Sequence, residues 1–213
     1  MTDEKVRDFV LKSDGHVAKP FNFKDLLARI EAVSSRRKIY EQIYMTDPIT
    51  GLNNVHIFKR SFHALFNIAR RYGRIFSIAV IDVNDFKKIN DTYGHAVGDS
   101  ILRNFANTMK KVFRDTDVLI RYGGDEFVVL FPETDEAQAT EAVKRLKHAV
   151  KDLHVLVEDG QKTIGFSISA GVASYRKGIK RSAELFELAD KNMYSNKNQI
   201  KTAAKKPAEK GKH

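Results

Sequence analysis

The chain predicts an α/β domain, and three features of it do so. Residues 75–82, Ile-Phe-Ser-Ile-Ala-Val-Ile-Asp, form a nearly unbroken apolar run of the kind presented by a strand buried on both faces. Two β-branched and aromatic runs, Asp117–Arg121 and Phe127–Phe131, flank a glycine pair, Gly123-Gly124, which marks a hairpin. Amphipathic stretches with helical spacing lie between and around these strands, so sheet and helix alternate along the chain.

Taken in order, Asn22 reads as an N-cap with Asp25 three residues on, and a lead helix runs from it toward Thr46. Leu26, Ile30, Val33, Tyr40 and Tyr44 keep a spacing of three and four along it, broken by Arg37. That seam either pairs two chains or packs on its own domain, because it is shorter than the roughly three to four heptads of a coiled coil. A helix over 55–72 follows, then the 75–82 strand, a short helical piece from Phe86 stopped by Gly94, and a helix over 98–113. After the hairpin come a helix over 136–153, an edge-like piece at Val155–Val157, an alternating strand at Thr163–Ser169, and a helix over 182–196. Residues 202–213 continue an Ala/Lys/Pro tail that reads as disordered.

Composition narrows the function classes. A chain of 213 residues with 42% hydrophobic content supports one domain plus an appendage. It has no cysteine, which removes disulfides, thiolate zinc sites and cysteine nucleophiles. No run approaches the roughly 18 apolar residues of a membrane span, and the N-terminus does not read as a signal peptide, so the expectation is a soluble, cytoplasmic protein without a membrane partner. The net charge of +10 raises the question of nucleic-acid binding. Part of it lies in the tail, at Lys201, Lys205, Lys206, Lys210 and Lys212, and no helix-turn-helix, zinc finger or aromatic-lined RNA motif accompanies it. A polyanionic nucleotide substrate and a solvated surface account for the excess, and no nucleic-acid partner is expected.

The chemistry concentrates at two strand ends. The hairpin tip carries Asp125 and Glu126 directly after the glycines, and the 75–82 strand ends in Asp82. Glycines let a phosphorylated ligand approach the backbone, while adjacent hard oxygen ligands suit Mg²⁺, which one or two carboxylates hold together with substrate phosphates. Alone, the tip would also pass for a solvated turn. If the two strands are neighbours, Asp82 and Glu126 converge, and divalent metal between carboxylates is the usual device for in-line attack at phosphorus.

These residues resemble the GGDEF-domain diguanylate cyclases, which join two GTP molecules into cyclic di-GMP. The resemblance rests on Gly123-Gly124-Asp125-Glu126-Phe127, on Asp47-Pro48-Ile49-Thr50-Gly51-Leu52-Asn53-Asn54 at the domain entrance, on Asp82 through Asp99, and on Ala189-Asp190-Lys191-Asn192-Met193-Tyr194. It implies a central, antiparallel-centred sheet flanked by helices, like the palm of nucleotide cyclases and polymerases. It also implies roles. Asp82, the Val83 carbonyl and Glu126 would hold Mg²⁺, with Mn²⁺ as a substitute, and Asp125 would stand beside them. Gly123 and Gly124 would admit the nucleotide, Asn90 and Asp99 would read guanine, and Lys87, the backbone at Asp85 and Phe86, and Lys197 would contact phosphates. Lys201 would stand where the family often has an arginine, without the planar fork. Asp125, Glu126 and Lys87 would be the catalytic side chains, with the proton going to Glu126 or to water.

Arg114-Asp115-Thr116-Asp117 is spaced like the family's Arg-x-x-Asp site for inhibition by cyclic di-GMP, with Arg145 as a second clamp. Each domain would hold one GTP, so catalysis would require a homodimer. The alternative is a catalytically silent module that binds GTP or cyclic di-GMP. Val17-Ala18-Lys19-Pro20-Phe21 and the helix after it resemble the last strand end and last helix of a response-regulator receiver domain. The expected divisions are thus a receiver remnant over 1–21, a lead helix over 22–46, a catalytic domain over 47–201 and the tail.

Overall fold

The computed structural model describes residues 22–24, 26–28, 30–31, 45–157 and 162–205. The residues expected to form a receiver remnant, and most of those expected in the lead helix, lie outside them. The chain divides into two units, residues 1–44 and 45–213. In the first, Asn22 caps a helical start as expected: its Oδ1 accepts from the Lys24 N–H at 2.9 Å and its carbonyl from the Leu26 N–H at 3.1 Å.

The second unit is built on β1 (Phe76–Val83), which is buried along its whole length. It pairs antiparallel with β3 (Glu126–Pro132) on one side and with β6 (Ile168–Ser174) on the other, and β2 (Val118–Arg121) adds to β3. The sheet order is β2-β3-β1-β6, all antiparallel, the centre that the resemblance implies.

Alternation along the strands sorts the core into two layers. Phe76, Ile78 and Val80 face α1 (Val55–Tyr72) and α5 (Ser182–Lys205), where Phe58, Phe62, Phe66, Leu185, Ala189 and Met193 meet them. Ala79, Ile81 and Val83 face α3 (His95–Val112) and α4 (Glu136–Lys151), against Ile101, Phe105, Met109, Val143 and Leu146. Helix α1 starts at an Asn54 cap whose side chain accepts from the His56 and Ile57 N–H groups, and ends at Gly73 in the left-handed region (φ 66°).

Helix α5 lies backbone against backbone on β6. A Cβ at Gly171 would come within 2.0 Å of the Met193 nitrogen and 2.3 Å of the Ala189 carbonyl oxygen. Asn192 donates to the Val172 carbonyl, and Asn196 Oδ1 accepts from the Ala170 N–H. This docking sets where the C-terminal turns of α5 emerge over the sheet end.

Three expectations need correction. The alternating run at 163–169 is not one strand: β5 (Lys162–Gly165) pairs with β4 (His154–Val157) in a separate hairpin, and β6 begins at Ile168. The cause is Asn84, whose N–H donates to the Ser167 carbonyl while its side chain bonds Ser167 and Ser169, drawing the chain from the hairpin into the sheet. Helix α3 starts at His95 rather than Gly98, directly after Gly94 breaks it from α2 (Phe86–Tyr93). Helix α5 runs on to Lys205, past the expected end at Asn196.

Candidate active site

The register of β1 and β3 places Asp82 directly opposite Glu126. Residues so paired in antiparallel strands carry their Cβ atoms about 4.5–5.5 Å apart on one face, here the face that α5 covers. Asp82 is 6% exposed, and Lys197, about one turn beyond the contact of Gly171 with Met193, reaches it with Nζ at 2.6 Å from Oδ1. Asp125 is tied in through its carbonyl, which accepts from the Val83 N–H at 3.1 Å.

The tip is a tight turn centred on Gly124-Asp125, closed by the Glu126 N–H on the Gly123 carbonyl at 3.2 Å. Neither tip glycine occupies the left-handed region, and a Cβ at Gly124 would meet nothing within 4 Å. Backbone conformation and internal packing therefore give no reason for glycine there, and what these positions leave open is the approach from outside. The guanidinium of Arg121 holds the tip: Nε and Nη2 donate to the Gly124 carbonyl at 3.1 and 2.8 Å, and Nη1 donates to both Asp47 oxygens at 3.1 and 3.0 Å. Burial pushes the Asp47 carboxyl up, but hydrogen bonds from Thr50 and Arg121 outweigh it and leave the group below its ordinary value.

The acids repel one another. Burial and then the charges of Asp125, Asp82 and Asp190 push the Glu126 carboxyl up, with Lys197 opposing. Burial and Asp82 likewise raise Asp125, against Lys197 and Arg121. Among the described residues no group of three or more His, Cys, Asp or Glu side chains is arranged to hold a metal ion. Two facing hard-oxygen donors with excess negative charge nonetheless fit Mg²⁺, which completes its shell with phosphate oxygens and water.

The expected base-reading residues stand on α2 and α3. Asn90 Oδ1 is buried without a hydrogen-bond partner among the described residues, and a Cβ at Gly98 would fall 1.9 Å from it. Gly98 thus makes room for the Asn90 amide, and Asp99 follows it, half-buried, on α3. A buried polar atom left unpaired by its own chain is costly unless a ligand satisfies it. Lys87 and Asp85 are exposed and Phe86 partly buried at the start of α2, where Asp85 takes a left-handed φ of 55°. The side chain of Lys201 lies outside the described residues.

Arg114 and Asp117 form a turn in which the Arg114 N–H donates to Asp117 Oδ2 at 2.9 Å. They line two cavities. One of about 200 Å³ is shared with Gln138, Glu141 and Arg145, so all three expected clamp residues converge on it. The other, about 220 Å³, is shared with Asn53 and Lys110. Burial raises the Asp117 carboxyl against the charges of Arg114 and Arg145.

Several residues escaped the sequence reading. Lys110 left no clear signal, since it lies in the last turn of α3 while Arg114 lies beyond the helix end, in the turn that follows. Arg121 and Asp47 stood inside quoted motifs without a role. The latch of Asn84, Ser167 and Ser169 joins positions more than 80 residues apart and left no local trace.

Residues 44–203 match the family model for the diguanylate cyclase, GGDEF domain. The chain is 31% identical over 191 residues to the response regulator PleD of Caulobacter vibrioides, covering 85% of this chain and 42% of that protein. It is 33% identical over 179 residues to diguanylate cyclase A of Treponema denticola, covering 83% and 48%. The chain therefore spans less than half the length of these two relatives. Among solved structures, the coiled coil and GGDEF domain of DgcB from Caulobacter crescentus in complex with c-di-GMP superposes with a TM-score of 0.78 at 25% identity, over 83% of this chain and 92% of that one.

Proposed function

Because the chain belongs to the GGDEF family of diguanylate cyclases, we propose that it condenses two GTP molecules into cyclic di-GMP, releasing two pyrophosphates. The observation that carries this reading is the cross-strand placement of Asp82 opposite Glu126, with Lys197 on Asp82 and open glycines beside them. Asn90 and Asp99 recognise guanine: the carboxylate accepts from its N1–H and N2–H₂ donors, which adenine does not offer together. Lys87 and the first backbone amides of α2 take the phosphates, where a helix N-terminus favours anions.

Asp82, the Val83 carbonyl and Glu126 would hold Mg²⁺, or Mn²⁺ in its place, and the cation would supply charge neutralisation at the triphosphate. In the reaction the 3′-oxygen of one GTP forms a bond to the α-phosphorus of the other, and the bond to the pyrophosphate oxygen breaks. The hydroxyl proton passes to Glu126 or to water. Lys87 and Lys197 stabilise charge on the departing pyrophosphate. The second ester forms the same way with the roles exchanged, so two chains must face each other.

Arg114, Asp117 and Arg145 bind the product and restrain synthesis, the arginines on phosphate and the aspartate on a guanine edge. The test is incubation with GTP and Mg²⁺ followed by chromatography. Cyclic di-GMP should accumulate with two pyrophosphates per product, and added cyclic di-GMP should slow it. Bound but unconsumed GTP would instead mark a non-catalytic receptor.

A further inference from the structure

Two demands meet at Lys197. Its ammonium lies 2.6 Å from Asp82 Oδ1, in a pair whose side chains are only 23% and 9% exposed. Asp82 is also one of the two facing carboxylates that fit a divalent cation, and Mg²⁺ binds oxygen at about 2.0–2.1 Å. An ammonium and a dication held on the same carboxylate, whether on one oxygen or on its two, lie close enough to repel each other strongly. The helix cannot relieve the conflict by moving, because Gly171, Asn192 and Asn196 dock α5 on β6 just before this residue. What can move is the four-carbon stem of the lysine, a flexible arm with a compact charge at its end.

We propose that Lys197 is an exchangeable counter-ion. It neutralises Asp82, gives up that oxygen when a divalent cation enters, and turns its charge to the phosphates that arrive with the cation. The exchange holds back cation binding in the absence of nucleotide and couples the two binding events, since the triphosphate supplies the displaced ammonium with a new partner. Lys197 is in this sense a positioning residue for the cation as well as a phosphate contact. The inference rests on the cyclase reading above, and its test separates the two.

Mn²⁺ is titrated into nucleotide-free protein, and the free ion is followed by electron paramagnetic resonance. Lys197→Met should bind Mn²⁺ about three- to tenfold more tightly than the unaltered protein. Lys197→Arg should return the affinity toward the starting value, and Asp82→Asn combined with Lys197→Met should show no gain. With GTP present the advantage of Lys197→Met should shrink or reverse. Equal or weaker Mn²⁺ binding by a folded Lys197→Met protein, checked by circular dichroism, overturns the exchange while leaving the cyclase reading intact. Failure of both proteins to take up Mn²⁺, even with GTP, overturns the cation site itself and the exchange with it.

Discussion

Glu126 concentrates the physics of the site in one side chain. Burial and the charges of Asp125, Asp82 and Asp190 raise its carboxyl, so folding favours its protonated form. A carboxyl raised in the fold contributes stability below its unfolded value and loses that contribution as pH rises through the folded value. Glu126→Gln should therefore be more stable than the unaltered protein at pH near 8 in chelator, and the advantage should fade as pH falls toward the ordinary carboxylate range. Urea midpoints at several pH values measure this, and a variant less stable at high pH would contradict the assignment. The same substitution should abolish cyclic di-GMP synthesis. The site acids were legible in the sequence because each terminates an apolar strand. That Asp82 binds Lys197 was not, because the contact spans 115 residues and depends on how α5 lies on the sheet.

The elements show where sequence periodicity succeeds and where it stops. Helices α1 and α4 and strands β1 and β3 appear where spacing puts them, since each buries one strongly patterned face or an unbroken apolar run. The run at 163–169 failed because alternation cannot tell one strand from two collinear pieces that pair with different partners. Gly-Gly correctly marked the hairpin, yet the turn centres on Gly124-Asp125 and needs no left-handed glycine. Gly171 lets backbone pack on backbone, and it had no local signature because its neighbour is a helix arriving later in the chain. Gly171→Ala should lower stability by about 3 kcal/mol or more, since the new methyl meets backbone atoms that cannot turn aside. Gly165→Ala is the control, with its nearest contact at 3.8 Å. Equal urea midpoints for the two variants would contradict the docking of α5.

At the scale of the molecule, one unit carries the face proposed to read guanine, the end proposed to take phosphate and cation, and a separate pocket around Arg114. The Arg121–Asp47 pair joins the entrance turn to the tip, and Asn53 donates to the Leu119 carbonyl and accepts from the Arg121 N–H, on either side of Ile120, so the Arg114 pocket and the tip share one scaffold. In the proposed reaction each of two chains would supply one half of the site. The rate per chain should then rise with protein concentration and level off as the dimer saturates, along the monomer–dimer curve set by the dimer dissociation constant. A rate per chain independent of concentration over a range in which sedimentation shows monomers becoming dimers would contradict half-site chemistry. Among the described residues no helix is long and apolar enough to cross a membrane. The most direct test of the central claim is a crystal grown with Mn²⁺ and a non-hydrolysable GTP analogue, with the metal located by its anomalous scattering. The metal should lie between the carboxylates of Asp82 and Glu126 and touch the triphosphate. Its appearance elsewhere, with both side chains turned away from the nucleotide, would contradict the account.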